Sequence, residues 1–456
     1  MGPHRSFLGC RGYPWPVETV LLFILGVVIF IVGLVISVAL HELGHLTFAK
    51  LFGVRVSQYM VGFGKTLWSK TIRGTEYGVK PILLGGYISM AGMFPPGSAG
   101  SAESKPQGAL FSALVQDARA SSEASIGSED HSGAFYRAKP WKRIIIMFAG
   151  PFMNLVIGVV IAGILVTGFG TPAATIGDVS PCVPTSTSAT TKCTSADPAS
   201  PALSSGLKKG DLVVSLNGVS YPSPSVTQSL LQHSAGKAVT VVVKRAGKLQ
   251  TISVTPVAVS RDAIDSSGIP ITDSSGKPVV QKLGAVGVAL GQKLVPQPIT
   301  ATFGAVGSEV NGIFTVLGRL PASIVGVWNS VFDGAARSPS SPVSVVGVGR
   351  AIGTIASAQD APATLRIYDI LSLLGQLNIS LFVFNLLPLL PLDGGHIVGA
   401  VWEAIRRFFA RLFRRRDPGP VDLAKLMPLT VAVVTVLIAV SALLIVADLV
   451  NPVSIG

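Results

Sequence analysis

The chain has 456 residues, 49% of them hydrophobic and only 13% charged, with a mean hydropathy of +0.58 and a formal net charge of +13. A soluble protein of this length would carry about twice that charged fraction, so the soluble globular class is set aside and the membrane class is expected. The basic excess forms no stripe interleaved with aromatics; it points to cytoplasmic loops beside anionic lipid, and no nucleic-acid partner is expected.

In chain order, Arg5 and Arg11 precede a long apolar run. The run is too long for a signal-peptide core and no small-residue cleavage site follows it, so a retained span is predicted from about Thr19 to Leu40. At 1.5 Å per residue it covers about 33 Å, a full hydrocarbon core. Residues 97–134 are rich in Ser, Ala, Gly and charge and are predicted to be a disordered cytoplasmic insert. A second span is predicted from about Ile144 to Phe169, within residues 135–170. Residues 171–260 read as a small β domain interrupted by a Ser/Thr/Ala/Pro-rich insert over 185–205. Alternation over Leu212 to Leu216, Val239 to Lys244 and Leu249 to Val254 predicts strands, and Asn217-Gly218 predicts a turn. Residues 261–366 read as linker and amphipathic helices. The apolar stretch from Ile299 to Phe332 falls there, interrupted by Glu309, Arg319 and Pro321, and interfacial helices are favoured over a fifth span. Within residues 367–456, a third span is predicted from about Ile370 to Leu390 and a fourth from about Met427 to Val446.

Arg406, Arg407, Arg411, Arg414, Arg415 and Arg416 lie between the last two spans, opposed only by Glu403 and Asp417. That loop is expected to be cytoplasmic. Counting back through four spans puts both termini outside and the first interspan segment inside, in agreement with Lys139, Lys142 and Arg143. The segment from about Thr171 to Arg366 then faces the exterior. Cys182 and Cys193 lie in that oxidising setting and are expected to form a disulfide, with two free thiols as the alternative. The remaining cysteine is Cys10, and no C-x-x-C pair suggests a cysteine metal site.

His41-Glu42-Leu43-Gly44-His45 closes the first span. Histidines at i and i+4 share one helix face, so both imidazoles reach one metal, and the glutamate beside them can take a proton from water. A catalytic zinc takes three protein ligands and leaves a position open. Asp393 follows a long apolar run, where a lone carboxylate is costly and a metal would neutralise it; capping of the next helix is the alternative. Asn385, Pro388 and Pro391 interrupt the end of the third span. Irregular backbone at membrane depth is tolerated where it lines a cavity or packs against protein, which marks a place to hold substrate, with structural kinking alone as the alternative.

His41-Glu42-x-x-His45, with Asn385-x-x-Pro388 leading to Leu392-Asp393-Gly394, resembles the site-2 protease family of intramembrane metalloproteases. Gly62-Phe63-Gly64 through Gly85-Gly86-Tyr87 is similar to that family's membrane-associated β-hairpin, here residues 51–96. Lys65 stands where proline is expected. Gly150-Pro151-x-x-Asn154 resembles the opening of its second core helix. Ser204 to Asp211, followed by Leu216-Asn217-Gly218, is similar to part of a PDZ domain. The implied fold is a polytopic α-helical membrane protein with about four transmembrane helices, a cytoplasmic-side β-hairpin and a small extracytoplasmic PDZ-like α/β domain.

The resemblance implies one Zn2+ held by His41, His45 and Asp393, with Glu42 as the catalytic proton carrier. It implies Asn385, Pro388 and Gly86 at the substrate, with an unwound strand pairing along a sheet edge near residues 60 to 90. Expected substrates are single-span membrane proteins already cut by another protease, of the anti-sigma-factor or signal-peptide-remnant type. A non-catalytic PDZ-bearing scaffold in the bilayer is the alternative. A proton-relay transporter is disfavoured because no inverted repeat is present.

Overall fold

The computed structural model describes residues 17–96, 109–126, 131–184, 193–194, 197–262, 280–334, 337 and 341–453. Contacts divide the chain into two units, Met1–Gly158 with Val343–Asp448 and Val159–Pro342 with Leu449–Gly456.

The first unit opens on α1, Val17–Leu51, a 35-residue helix whose apolar residues lie on every side. At 1.5 Å per residue it is roughly 52 Å long, longer than a hydrocarbon core of about 30 Å, and the His41 to His45 turn lies in its C-terminal third. A four-stranded sheet follows: β1 Val56–Phe63, β2 Trp68–Ile72, β3 Thr75–Val79 and β4 Ile82–Met90. Its order is β2-β3-β1-β4, with β1 parallel to β3 and antiparallel to β4. This is larger than the hairpin expected. The turn at Arg73-Gly74, both at positive φ, folds β2 onto β3, and β3 then joins β1 from the side away from β4. The Tyr59 hydroxyl donates to the Ala39 carbonyl at 2.7 Å and ties the sheet to α1.

Part of the insert predicted to be disordered is α2, Ala109–Ala124; residues 97–108 and 127–130 of that insert lie outside the described residues. Tertiary contacts hold this helix. Arg119 pairs with Asp422 at 2.5 Å, and Ser122 both donates to and accepts from the Phe94 backbone at 2.9 Å. The helix α3, Pro140–Ile164, carries Pro151 internally and continues through a π-turn, Leu165–Phe169. Leu46, Ala49, Val56, Met90, Phe135 and Ile146 form the buried core beneath the His41 to His45 turn.

The second unit contains a six-stranded sheet. Its elements are β5 Thr171–Val179, α4 Pro201–Ser205, β6 Leu212–Leu216, β7 Val219–Ser220, α5 Pro224–Gln232, β8 Val239–Arg245 and β9 Lys248–Val254. After them come β10 Val257–Asp262, β11 Val280–Ala285 and β12 Val288–Val295. The order is β12-β5-β6-β8-β9, with β7 on β6 and with β10 and β11 paired separately. Asn217 and Gly218, both at positive φ, make the turn between β6 and β7. Alternate residues of β8, Val239, Val241 and Val243, are buried against Ala174, Ile176, Val213 and Leu216. Residues 185–192 and 195–196 of the insert within this domain, and 263–279 of the linker after it, lie outside the described residues.

The helix α6, Ala301–Phe332, runs unbroken for 32 residues through Glu309, Arg319 and Pro321. Interfacial pieces were the expectation here, yet this single helix is long and apolar enough to cross a membrane. Returning to the first unit, α7 is Val345–Ser357, α8 Ala363–Asn385, α9 Asp393–Leu412 and α10 Met427–Val450. By length and composition five helices among the described residues could cross a membrane: α1, α3 with its π-turn, α6, α8, and Leu423–Val450, which contains α10.

Candidate active site

Three side chains from two helices of the first unit converge on one point. On α1, His41 and His45 project from the same face one turn apart, their Nε2 atoms 3.1 Å from each other. Asp393 is the first residue of α9, placed there by the irregular segment after α8. Its Oδ2 lies 3.3 Å from His41 Nε2 and 3.4 Å from His45 Nε2. A tetrahedral zinc with bonds of about 2.0–2.1 Å separates its ligand atoms by about 3.3 Å. Two imidazole nitrogens and a carboxylate oxygen at these spacings fit that ion, and Asp393 Oδ2 is buried without a hydrogen-bond partner. The three side chains form a candidate zinc site.

Two contacts from α3 orient the imidazoles. A carbonyl only accepts, so His45 Nδ1, 2.7 Å from the Ile146 oxygen, carries the proton and leaves the Nε2 lone pair for a metal. His41 Nδ1 sits 3.1 Å from the Asn154 side-chain amide, whose other atom, Oδ1, is buried without a partner. The two amide atoms exchange by a half-turn. With Oδ1 turned to accept from Nδ1–H, His41 Nε2 is likewise free for a metal. Asn154 escaped the reading of the sequence for this role, although a lone amide within an apolar helix was the available signal. Close approach of α3 to α1 depends on Gly150, where a Cβ would meet the His45 ring at Nε2 and, at 2.6 Å, at Cε1.

Glu42 is 9% exposed. It lies under β4: a Cβ at Gly86 would come within 3.0 Å of both Glu42 Cγ and Val38 Cγ1. Because β4 ends the strand order, its outer edge faces no other strand among the described residues. Asn385 is the last residue of α8, and no hydrogen bond from its side chain occurs among the described residues. Pro388 lines an apolar cavity of about 220 Å3 with Leu390, Gly395, Trp402, Leu426 and Thr430. Of the residues named from the sequence, His41, His45 and Asp393 cluster, Glu42 is buried on the same turn of α1, Pro388 lines the cavity and Asn385 ends α8.

A second polar cluster was not anticipated. Glu403, fully buried on α9, accepts from Arg143 of α3 and from the Val421 amide at 2.9 Å, and pairs in charge with Arg407 at 3.0 Å. It fastens the helix that begins with Asp393. In the β domain of the second unit, Arg245 donates to both Asp211 oxygens at 2.7 and 2.6 Å, and the Lys208 amide adds a bond at 2.9 Å. Burial alone would raise the Asp211 carboxyl, but these bonds and the arginine's charge hold it below the usual carboxylate range. Cys182 and Cys193 are joined, with Cα atoms 5.9 Å apart.

Comparison with known proteins adds an independent line. The family described as peptidase family M50 matches residues 29–414. The chain is 33% identical over 446 residues to the zinc metalloprotease Rip1 of Mycobacterium tuberculosis, covering 95% of this chain and 99% of that protein. Its counterpart in Mycolicibacterium smegmatis is 32% identical over 449 residues, 95% of this chain and all of the relative at 100%. Metalloprotease MmpA of Caulobacter vibrioides is 26% identical over 409 residues, 85% of this chain and 88% of that one. A match of this extent, joined to the His41, His45 and Asp393 cluster, makes the chain a zinc metalloprotease of peptidase family M50, the site-2 protease family.

Proposed function

We propose that the protein hydrolyses peptide bonds within transmembrane segments of single-span membrane proteins, as the second cut of regulated intramembrane proteolysis. The observation that carries this reading is the position of the cluster: two ligands lie on α1, a 35-residue apolar helix, and the third follows the apolar helix α8.

His41, His45 and Asp393 would hold the zinc, which when bound would supply Lewis acidity towards a carbonyl and towards water. Glu42, buried beside the two histidines, takes the attacking water's proton and hands it to the leaving amine. Asn154 and the Ile146 carbonyl keep the imidazoles in the metal-binding tautomer. A transmembrane helix shields its own peptide bonds, so a substrate must unwind locally before attack. The open edge of β4, with Gly86 lying on Glu42, can pair with the unwound strand. Asn385 and Pro388, at the broken end of α8, border its path.

In this reading α6 lies at the membrane interface and four helices cross, so the β domain of residues 171–260 is PDZ-like and extracytoplasmic and both termini share its side of the membrane. The arginine-rich segment after α9 is cytoplasmic. The Cys182–Cys193 disulfide suits that exterior placement. The β domain admits only substrates already trimmed outside the membrane, of the anti-sigma-factor or signal-peptide-remnant type. The test is a single-span reporter without its ectodomain, incubated with the full chain in proteoliposomes. Mass spectrometry of the fragments should place the cut inside the span, with loss on chelation and recovery on adding zinc. A cut confined to flanking polar residues would overturn the reading.

A further inference from the structure

We infer that α9 is a docking surface for anionic phospholipid, lying along the membrane interface and ending at the metal site. One face of this helix is already occupied, because Glu403 is buried against Arg143 and Arg407. On the opposite face Val398, Trp402, Ile405, Phe408, Phe409 and Leu412 recur at helical spacing of three and four, and all are exposed. Trp402 is 55% and Phe408 62% open, too much apolar surface to stand in water. Yet α9 is not among the five helices apolar enough to cross a membrane. A helix with one apolar stripe and a charged remainder lies in the interface plane.

Charge identifies the lipid. Arg411, at the edge of the stripe, and Arg414, Arg415 and Arg416, just past the helix end, are exposed. No hydrogen bond or ion pair engages their side chains among the described residues. Arg407, by contrast, is engaged by Glu403 and Asp417. Four unneutralised guanidinium groups beside an apolar stripe suit headgroups bearing a phosphate and a net negative charge, and disfavour zwitterionic lipid. Because Asp393 opens the same helix, lipid held along α9 also holds the metal ligand's backbone.

This inference rests on the chain's being a membrane protein and not on its proteolytic activity. The full chain is reconstituted in phosphatidylcholine vesicles carrying an equal mole fraction of either brominated phosphatidylcholine or brominated phosphatidylglycerol. The Trp402 contribution to tryptophan emission is isolated by difference from Trp402→Phe. Brominated phosphatidylglycerol should quench that contribution at least about twofold more strongly than brominated phosphatidylcholine. The preference should vanish in the combined variant Arg411→Gln, Arg414→Gln, Arg415→Gln, Arg416→Gln. Equal quenching by the two lipids in the wild type overturns the inference. Absence of quenching by either overturns it too, and would place a protein surface, such as a second copy of the chain, over the stripe.

Discussion

Replacing Gly150 by alanine should disable the metal site without unfolding the helix that carries it. The new Cβ would lie 2.6 Å from His45 Cε1 and 2.7 Å from Cδ2, whereas carbon atoms settle at about 3.5–4.0 Å. Either the imidazole moves by about 1 Å or α3 does, and each displaces Nε2 from the other two ligands. A misplacement of that size costs on the order of 100-fold in rate, or about 2.7 kcal/mol. Alanine in a helix interior is otherwise favourable by roughly 0.5–1 kcal/mol, so a folding defect is not expected. Gly163→Ala is the matched control on the same helix, since its Cβ meets only Ile299, at 3.6 Å. Zinc content by mass spectrometry and reporter cleavage in proteoliposomes should both fall for Gly150→Ala and stay unchanged for Gly163→Ala. Full zinc occupancy and wild-type cleavage by Gly150→Ala would refute the geometry.

Three more outcomes follow from other contacts. Asn154→Ala should weaken zinc binding roughly 10- to 100-fold in a chelator competition, while Asn154→Asp, which still accepts from His41 Nδ1–H, should restore it; equal affinity for all three proteins would remove Asn154 from the site. Glu403→Ala strands Arg143 in a buried position, and breaking such a pair costs about 3–5 kcal/mol; thermal unfolding in detergent should show a large loss, and a change within 0.5 kcal/mol, about the scatter of surface substitutions, would contradict the clamp. The lowered Asp211 carboxyl contributes stability that is full above the ordinary carboxylate value of about 3.9 and is lost as pH falls through its lower folded value. Acid titration of the β domain should therefore show a transition below the usual carboxylate range that Asp211→Asn removes, and an identical acid profile in the variant would discount the Arg245 pair.

Local signals were the legible ones. The i, i+4 histidines needed only helix periodicity, and the alternation in β6, β8 and β9 marked those strands to within a residue or two. The role of Asp393 needed more: a carboxylate after an apolar run suggested a partner, and the family motif supplied which one. What escaped depends on distant pairing. The parallel ladder of β1 and β3 joins residues separated by the β2 strand, so a hairpin reading missed it. Arg143 and Glu403 are 260 residues apart, and nothing local distinguishes Glu403 from its neighbours on α9. The composition of residues 109–126 is poor in large apolar side chains, yet α2 forms there because Asp422 and the Phe94 backbone meet its polar groups. Pro321 suggested a break that α6 does not make, since a proline in a long helix removes one backbone bond while the flanking turns persist.

Glu42→Gln bears most directly on the central claim, because it keeps the shape of the side chain and removes only its ability to carry the proton. Wild type and variant, each loaded with zinc to the same stoichiometry, are compared on one single-span reporter in reconstituted membranes. Cleavage by the wild type alone, with His41, His45 and Asp393 still holding metal in the variant, is the expected result. Equal cleavage by both proteins would contradict catalysis through Glu42, and processing by neither across several reporters would favour a scaffold over an intramembrane protease.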